Sequence, residues 1–346
     1  MLHPLGLETA VPYRGSVPSL PPVIAEIRLA VRTALADLPE GSTVIVGLSG
    51  GADSLALAAA VAFEAPRCGL RAATLTVDHG LQDDSAAVAE AAAGAARDLG
   101  LDALVVRVAV DGEGGPEAAA RDARYRVLRD AALDVSAAAV LLGHTLDDQA
   151  ETVLLGLARG SGAASLQGMA PVREDDDGLR WIRPLLAVRR ERTWAFCGAS
   201  GLTVWNDPHN ADPRYARVRV RERVLPVLES ELGPGIAEAL ARTAEQLRED
   251  AEAFDEMIHE TIEDIVEHAE AGISVSVAAL AANPAALRNR IIRLVVDSEF
   301  GVALTRAQTL EVARLVTDWR GQGPIDLPGC AAARQGGRIV ITASGR

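Results

Sequence analysis

The chain has 346 residues, enough for one large domain and a smaller one. Apolar residues make up 49% of the sequence, which supports a hydrophobic core and argues against a disordered chain. No apolar run reaches the roughly 18–20 residues that cross a bilayer, and the amino terminus lacks a signal-peptide pattern, so we expect a cytoplasmic protein without a membrane partner. The three cysteines form no CxxC pair, which argues against a zinc or iron–sulfur site and against a disulfide framework.

The net charge of −14 argues at first against a nucleic-acid partner, because phosphate binding usually leaves a basic footprint. The charge is unevenly distributed, however. Segments 180–192 and 214–223 each hold five arginines against one glutamate, whereas 245–270 is rich in acids. These two basic segments keep a nucleic acid open as a partner.

The first half of the chain alternates between strand-like and helical patterns. Residues 1–22 are rich in proline and aperiodic, which predicts a flexible tail. The predicted strands are Thr43–Leu48, Ala72–Val77, Ala103–Val110 and Ala137–Leu142, and the predicted helices start near Ser54 and cover about 84–99, 116–133 and 146–158. This alternation predicts an α/β fold with a doubly wound parallel sheet, in which ligands bind at the carboxyl ends of the strands.

The second half reads differently. Segment 159–225 is punctuated by glycine, arginine and proline, so we take 23–228 as the catalytic domain. A long charged helical pattern predicts a helical linker over 229–271. Residues 272–346 predict a small α+β domain, with a strand near 273–278, helices near 284–298 and 305–317, and a terminal hairpin through the Gly336-Gly337 turn.

The segment SGGADS joins the first predicted strand to the first predicted helix. The adjacent glycines, Gly50 and Gly51, allow backbone conformations that let main-chain N–H groups converge on an anion at the helix N-terminus. The hydroxyls of Ser49 and Ser54 can donate to phosphate, and Asp53 can hold Mg²⁺. A plain glycine turn with Asp53 or Ser54 as helix N-cap is the alternative reading. The strand, SGGxDS and helix in this order resemble the pyrophosphate-binding loop of ATP pyrophosphatases, which cleave ATP between its α- and β-phosphates.

A second polar cluster follows the fourth predicted strand, in the motif GHTLDDQAETVLLGLARGSG. On a helix, Asp148 and Glu151 share a face, whereas Asp147 is rotated by about 100° from Asp148. Acids in a first helical turn also stabilise the helix dipole without any ligand. That alternative does not explain why the acids sit beside His144 at a strand end.

These motifs, in this order, resemble those of the tRNA(Ile)-lysidine synthases, which are N-type ATP pyrophosphatases of the PP-loop family with an adenine nucleotide alpha hydrolase-like sheet. Further segments agree: VDHGL (77–81), ARDARYRVL (120–128), IRPLL (182–186) and NDPHNADPRYARVRVRERVLPVL (206–228). The resemblance spans about 23–340 and its motifs are weak after 228. Two positions depart from the pattern, each affecting one expected polar contact: Gln82 stands where arginine is expected, and Val218 follows Arg217 where asparagine is common.

The resemblance implies a two-step reaction. ATP activates the C2 carbonyl oxygen of the wobble cytidine in a CAU-anticodon isoleucine tRNA and releases pyrophosphate. The ε-amine of free L-lysine then attacks C2 and expels AMP, which leaves lysidine. The implied cofactors and partners are ATP, Mg²⁺, L-lysine and tRNA-Ile, and the family often forms homodimers.

The resemblance also implies roles for single residues. Asp53, Asp148 and Glu151 are the candidate catalytic residues, and Asp148 and Glu151 would grip the lysine ammonium groups and take its proton. Arg124 would bind a carboxylate or phosphate bidentately, unless it lies on a solvated helix face. Asp147 would hold Mg²⁺ with Asp53, or cap the helix.

Two further groups complete the candidate set. The candidate ATP-binding residues are Ser49, Gly50, Gly51, Asp53, Ser54, Asp78, His79 and His144. The candidate tRNA-binding residues are Arg189, Arg190, Arg192, Arg214, Arg217, Arg219 and Arg221. The last four alternate with apolar residues, so as a strand they would present a basic face to phosphates. An ordinary solvated edge strand would show the same pattern without RNA.

Two other functions stay open at this point. The chain could be a different PP-loop enzyme, although a tRNA thiolase usually needs paired cysteines and a glutamine-dependent amide synthetase needs an amidotransferase domain. It could also be a catalytically silent RNA-binding or scaffold protein. The intact glycine-rich loop argues against that function.

Overall fold

The computed structural model describes residues 20–80, 84–108, 116–160, 162–205, 212–269 and 272–344. Its contacts divide the chain into two compact units, Met1–Glu245 and Gln246–Arg346. Residues 1–19 of the predicted tail lie outside the described residues, and the first helix begins at Pro22. Within the described ranges, no helix is both long and apolar enough to cross a bilayer.

A six-stranded sheet forms the centre of the first unit. Its strands are β1 (Thr43–Gly47), β2 (Arg71–Asp78), β3 (Asp102–Arg107), β4 (Ala139–Leu141), β5 (Val172–Glu174) and β6 (Arg180–Ile182). They lie in the order β3-β2-β1-β4-β6-β5, and every pair is parallel except β5 with β6. The predicted doubly wound parallel sheet is confirmed. The sequence did not predict β5, because a three-residue strand carries too little periodicity. At β6 it offered only the resemblance of IRPLL (182–186) to a downstream strand of the family, which overlaps the observed strand at Ile182.

Among the described residues, nine α-helices lie in the first unit, and a tenth begins there and continues into the second unit. They are α1 (Pro22–Leu35), α2 (Ala52–Glu64), α3 (Ser85–Asp98), α4 (Pro116–Asp134), α5 (Leu146–Ala158), α6 (Ala163–Leu166), α7 (Arg190–Ala199), α8 (Ala216–Arg219), α9 (Leu225–Leu232) and α10 (Ile236–Ile265). Successive strand residues face opposite sides. Val44 and Val46 therefore pack with α1, α2, α3 and α7, whereas Ile45 packs with Leu128 of α4 on the other face.

The strand order changes direction beside β1. The chain runs outward from β1 through β2 to β3, and β4 then lies on the opposite side of β1. In open α/β sheets, ligands bind outside the carboxyl ends of the strands at such a switch point. Because the loop 49–54 follows β1 and segment 143–151 follows β4, both predicted clusters start at this place.

The basic segment 214–223 is helical. α8 continues into a π-helical segment, Val220–Val224, which leads into α9. The prediction that these arginines form the basic face of a strand is therefore wrong. Val220 and Leu225 are buried in a cluster with Leu146 and Ala150 of α5, so packing against α5 decides the conformation. On a helix, residues four apart share a face, which places Arg217 and Arg221 together.

The second unit contains an antiparallel sheet and three helices of its own. The strands are β7 (Val266–Ala269), β8 (Gly272–Ser276), β9 (Ile325–Leu327), β10 (Cys330–Gln335) and β11 (Arg338–Ala343), and the helices are α11 (Val277–Ala282), α12 (Ala285–Phe300) and α13 (Arg306–Thr317). The sheet order is β7-β8-β11-β10-β9. The predicted hairpin through Gly336-Gly337 joins β10 to β11.

The helical pattern predicted over 229–271 does not form one element. Gly233 and Gly235, with φ of +96° and +95°, separate α9 from α10. α10 ends at Ile265, and the chain then enters β7, which pairs with β8. Charged helical periodicity continues past this point in the sequence, and pairing with β8 overrides it.

Candidate active site

The loop after β1 is held by its two serine hydroxyls. Ser54 Oγ accepts the Ser49 N–H at 3.2 Å, lies 3.1 Å from Ser49 Oγ and donates to the Gly51 carbonyl at 3.0 Å. Gly50 has a φ of +82°, in the left-handed region, and a Cβ there would lie 3.3 Å from the Cβ of Ala92. Gly51 has an ordinary extended φ of −73° and is the N-cap residue of α2. Of the two glycines, Gly50 is the one whose conformation requires glycine.

The two predicted clusters lie side by side. Ser49 is exposed, whereas Gly50 and Ser54 are buried and the Trp205 N–H donates to the Gly50 carbonyl at 3.1 Å. Gly143 follows β4 and lies against the start of α2, where a Cβ on it would be 3.0 Å from the carbonyl carbon and oxygen of Asp53. The loop and the acids of α5 therefore border one site.

The carboxylate of Asp53 lies between α2 and α7. The Thr193 hydroxyl donates to Asp53 Oδ1, and Arg190 Nε lies 3.5 Å from Asp53 Oδ2. Burial raises the pKa of the Asp53 carboxyl to about 6, although Thr193 and Arg190 act in the opposite direction. Among the described residues, no three His, Cys, Asp or Glu side chains form a group that could hold a metal. A Mg²⁺ beside Asp53 would take its other ligands from phosphate and water, as this ion commonly does.

One carboxylate oxygen of Asp148 caps helix α5, and the other binds an arginine. Its Oδ2 accepts the Thr145 N–H at 2.8 Å and the Thr145 hydroxyl at 2.9 Å, which completes a capping box at the start of α5. Its Oδ1 accepts from Arg190 at 2.7 Å. Burial tends to raise the pKa of Asp148, but Arg190 and the Thr145 N–H outweigh it, so the pKa is lowered. Asp148 is therefore held as a carboxylate.

Glu151 lies at the centre of three arginines. Its side chain is fully buried, and Oε1 accepts from Arg190 at 3.0 Å and from Arg221 at 2.8 Å. Its Oε2 accepts from Arg221 at 3.2 Å and lies 3.4 Å from Arg217 Nε. Arg217 also donates to Thr152 Oγ1 at 2.7 Å. The sequence predicted Glu151 as a receptor for an amine, and in the structure guanidinium groups occupy both of its oxygens.

Asp147 faces away from this centre, as the 100° rotation predicted. Its Oδ2 accepts the backbone N–H of Arg190 at 2.7 Å, so it caps the N-terminus of α7. Its Oδ1 lies 3.2 Å from Arg189. The hypothesis that it caps its own helix is wrong, because Thr145 and Asp148 form that cap.

Six described side chains carry a buried nitrogen without a hydrogen-bond partner in the structure. Three belong to the candidate set, His79 Nδ1, Arg124 Nε and His144 Nδ1, and the others are Arg183 Nε, Arg28 Nε on α1 and Arg288 Nε on α12. Burial lowers the pKa of His144 to about 3, and burial with the nearby Arg124 lowers the pKa of His79. Buried polar atoms are nearly always paired in native proteins. The three in the candidate set can form a hydrogen bond with a ligand, and their predicted site roles stay predictions.

Asp78 is engaged by its own turn. It is buried, its Oδ1 accepts the Gly80 N–H at 2.9 Å, and Arg107 Nε lies 3.7 Å from its Oδ2. Burial tends to raise the pKa of Asp78, but the Gly80 N–H, the Ser85 hydroxyl and Arg107 lower it overall. The carboxylate shapes the loop after β2, and Gln82 on that loop lies outside the described residues.

The predicted tRNA-binding arginines separate into two groups. Arg190, Arg217 and Arg221 point to the acids of the site. The other four have partners elsewhere: Arg189 with Asp147 and Glu238, Arg192 with Glu26, Arg214 with Asp212, and Arg219 with the carbonyls of Pro213 and Arg214. Val218 is buried against the unit's interior. The single basic face expected from the sequence is absent from the described residues 212–224.

The sequence did not identify two polar residues of the site. Thr193 binds Asp53 from α7, a helix with no clear amphipathic pattern in the sequence. Arg183 is buried just after β6, donates to the Ala170 carbonyl at 2.7 Å and contributes positive charge near His144. The IRPLL motif contained Arg183, and a buried arginine in an apolar motif was the available signal.

Comparisons with known proteins agree with this geometry. Residues 25–228 match the family model described as "PP-loop domain", and residues 276–340 match the "TilS substrate binding domain". A tRNA(Ile)-lysidine synthase of Leifsonia xyli subsp. xyli is 61% identical over 306 residues, which cover 88% of this chain and 91% of the relative. One of Thermobifida fusca is 51% identical over 328 residues, covering 93% of this chain and 98% of the relative.

The fold has a solved counterpart. The U34-tRNA thiolase NcsA from Methanococcus maripaludis superimposes with a TM-score of 0.56 at 21% sequence identity, covering 66% of this chain and 80% of the thiolase. At that identity the likeness concerns the fold alone. With the two family models and relatives that match over most of their length, the chain belongs to the tRNA(Ile)-lysidine synthase family of PP-loop proteins.

Proposed function

We propose that this protein uses ATP to adenylate the C2 carbonyl oxygen of the wobble cytidine in a CAU-anticodon isoleucine tRNA and then joins free lysine to that carbon. In the first step the C2 oxygen bonds to the α-phosphorus while the bond to pyrophosphate breaks. In the second step the lysine ε-nitrogen bonds to C2, AMP leaves with the former carbonyl oxygen, and the nitrogen loses a proton.

One observation carries this proposal. In a chain of this family, the phosphate loop after β1 and the acids of α5 after β4 border one site at the switch point of the sheet. A triphosphate and an amine could therefore be held within reach of one base.

The loop residues suit the adenylation step. Main-chain N–H groups around Gly50 and the start of α2, with the hydroxyls of Ser49 and Ser54, can bind phosphate oxygens. Asp53 would hold Mg²⁺ together with those oxygens, and the ion would neutralise charge on the departing pyrophosphate. The unpartnered nitrogens of His144 and Arg124 can donate to the same nucleotide or to a carboxylate.

The acids suit the amine step. Asp148 and Glu151 share a face of α5 and are linked to Asp53 of the loop through Arg190. A carboxylate can bind an ammonium group and accept its proton when the amine attacks. We assign lysine recognition to these two acids.

We also propose that Arg214 and Arg219, which pair only with local groups of the described surface, contact tRNA phosphates. A homodimer and a cytoplasmic location complete the proposal, by analogy with the family. Light scattering of the purified protein tests the first of these, and fractionation of producing cells tests the second.

The decisive experiment combines purified protein, ATP, Mg²⁺, radiolabelled lysine and a CAU-anticodon isoleucine tRNA transcript. We expect label on the tRNA, with AMP and pyrophosphate released in equal amounts. A CAU-anticodon methionine tRNA is the substrate control, and Asp53→Asn is the enzyme control.

Each outcome has a consequence. Pyrophosphate release without label on any tRNA would indicate another PP-loop activity. Complete absence of ATP turnover would favour a binding protein. Label on the methionine tRNA to the same extent would contradict the proposed substrate.

A further inference from the structure

One guanidinium contacts all three candidate catalytic acids. Arg190 NH2 lies 2.7 Å from Asp148 Oδ1, NH1 lies 3.0 Å from Glu151 Oε1, and Nε lies 3.5 Å from Asp53 Oδ2. Its backbone N–H is held by Asp147, which fixes the start of α7 beside α5. The side chain therefore bridges the phosphate loop and the acidic helix.

Arg190 occupies the oxygens that an incoming amine needs. The second oxygen of Asp148 is taken by Thr145, and Arg221 contacts both oxygens of Glu151. In this arrangement a lysine ammonium group has no carboxylate oxygen left that lacks a donor. Departure of Arg190 would leave Asp148 Oδ1 without a hydrogen-bond donor, with Arg221 3.7 Å away, whereas Arg221 would still hold both oxygens of Glu151. Lysine can therefore reach Asp148 Oδ1 once Arg190 has moved away.

The balance of charges in the site also indicates that Arg190 must leave before lysine binds. The carboxylates of Asp53, Asp148 and Glu151 face an equal number of guanidiniums, and these belong to Arg190, Arg217 and Arg221. A cluster whose charges already balance has little net attraction for another cation. A nearby polyanion that draws one guanidinium away would restore that attraction.

Under the proposed function, a polyanion binds beside Arg190. Asp53, which Arg190 Nε approaches, belongs to the loop that binds phosphate under the proposed function, and Thr193 of the same helix α7 contacts the same carboxylate. Arginine binds phosphate oxygens bidentately and with charge assistance. A bound triphosphate would therefore offer Arg190 an alternative partner.

We propose that Arg190 is an exchangeable counter-ion that occupies the lysine subsite of the empty enzyme and passes to the triphosphate when the nucleotide binds. Nucleotide binding then opens Asp148 Oδ1, beside Glu151, to the lysine ammonium group. This rests on the proposed function and makes Arg190 a positioning residue of the lysine subsite. A consequence is that lysine binds tightly to the nucleotide complex and weakly to the enzyme without nucleotide.

A purely structural ion pair predicts something else. If Arg190 stays with the acids throughout, lysine affinity does not depend on the nucleotide, and removal of Arg190 weakens the fold or the binding of lysine. If Arg190 is an exchangeable counter-ion, its removal should change lysine affinity in the opposite direction. Removal of Arg190 then strengthens lysine binding to the nucleotide-free enzyme, a gain that damage to the fold does not produce.

The test is equilibrium dialysis of radiolabelled lysine against the full chain, with saturating CAU-anticodon isoleucine tRNA and Mg²⁺ in every cell. Each protein is measured with and without α,β-methylene-ATP, whose α–β bridge cannot be cleaved. For the parent protein we expect the analogue to tighten lysine binding by about tenfold or more, within the usual range of coupling between two sites. We call the Kd for lysine without the analogue divided by the Kd with it the coupling ratio. For Arg190→Gln we expect lysine to bind more tightly without the analogue than it does to the parent, and the coupling ratio to be near one.

Arg32→Gln is the matched control, because it removes an arginine of α1 that forms a bidentate pair with a fully buried carboxylate, Glu64, instead of the site acids. It should keep the parent's ratio. Arg190→Lys retains the charge but cannot bridge three carboxylates, so it should give an intermediate ratio. If Arg190→Gln does not fold, as shown by the loss of a cooperative unfolding transition, Arg190→Lys serves as the test instead.

Three results would overturn the inference: a ratio near one for the parent, the parent's ratio retained in Arg190→Gln, or no lysine binding in any state. The proposed function is judged separately, by transfer of labelled lysine to tRNA by the parent protein. If lysine is transferred to tRNA and the parent's ratio is near one, the inference alone is overturned. If lysine is neither transferred nor bound, both the inference and the proposed function are overturned.

Discussion

At the scale of single residues, the site is organised by ion pairs across elements. The spacing of α5 correctly put Asp148 and Glu151 on one face, and Asp147 on another. The partners of these acids come from α7 and from the segment 217–221, which lie about 40 to 70 positions further along the chain. Sequence spacing within a helix reports its faces but not which distant residue will meet them.

Asp148→Asn separates the two steps of the reaction. The amide can still accept from Thr145, but it loses the charge that binds an ammonium group. Since a hydrogen bond to a charged group contributes about 1.5–3 kcal/mol, we expect the KM for lysine to rise at least about tenfold. Pyrophosphate release, measured without lysine, should change much less. An equal loss in both assays would show that Asp148 does not act on lysine in particular.

His144→Gln tests the buried imidazole. The pKa of His144 in the folded protein is about 3, below its ordinary 6.5, so between these values the unfolded chain binds a proton that the folded chain does not. The free energy of unfolding therefore falls as pH drops through this window. Between pH 7 and 5 we expect the fall to be about 2 kcal/mol smaller in His144→Gln than in the parent, measured by urea denaturation.

His259→Gln is the control for that experiment, because His259 is exposed on α10. It should leave the pH dependence of the parent in place. If both variants flatten the curve equally, burial of His144 is not the cause.

At the scale of elements, the phosphate loop depends on the backbone of Gly50. Gly50→Ala puts a side chain into the left-handed region, which costs about 1–2 kcal/mol, and brings its Cβ to 3.3 Å from Ala92. Because shifts of about 1 Å in a reacting group can cost about 10²-fold, we expect pyrophosphate release to fall by tenfold or more. The measurement is ATP turnover together with the melting temperature.

Gly100→Ala is the matched control. Gly100 has a similar φ of +83°, and a Cβ there would meet nothing within 4 Å. It should lose stability of the same order and keep its ATP turnover. Equal loss of turnover in both variants would mean that destabilisation alone explains Gly50→Ala.

Two capping boxes allow a site variant to be compared with a matched variant outside the site. Thr145 caps α5 through Asp148, and Thr305 caps α13 through Gln308 in the second unit. Replacement of either threonine by alanine should cost about 1 kcal/mol. The KM for lysine should rise in Thr145→Ala alone, because only that cap positions a site carboxylate. No difference in KM between the two would remove the link between cap and site.

At the scale of the whole molecule, charge distribution matters more than net charge. The chain carries −14, yet the arginines of 180–192 and 214–223 are gathered in the first unit. Three of them neutralise buried acids, so fewer are free for RNA than the sequence suggested. Arg214, with a side chain that is 79% exposed, remains a candidate phosphate contact.

Salt dependence measures that contact. We expect tRNA affinity to fall as salt rises, and Arg214→Gln to reduce the slope of log K against log salt by about one. Arg97→Gln removes an exposed arginine of α3 outside the basic segments and should leave the slope unchanged. An unchanged slope in Arg214→Gln would place the RNA phosphates elsewhere.

The sequence by itself determined the fold class, the phosphate loop and the face of α5 that carries the acids. Local periodicity and glycine conformation depend on short stretches of chain, and the order of motifs can be seen directly along the sequence. It also carried the family, because the motifs recur in a specific order. The position of Thr193 and the pairing of Arg190 needed α7, whose short sequence has no clear apolar stripe.

Only the tertiary structure decided what the arginines do. The pattern of 214–223 suits a strand or a helix equally, and burial of Val220 and Leu225 against α5 selects the helix. That packing turns Arg217 and Arg221 towards Glu151 and leaves Arg214 and Arg219 near the surface. The physical reason is that ion pairing in a buried site depends on distances between elements, which no local pattern encodes.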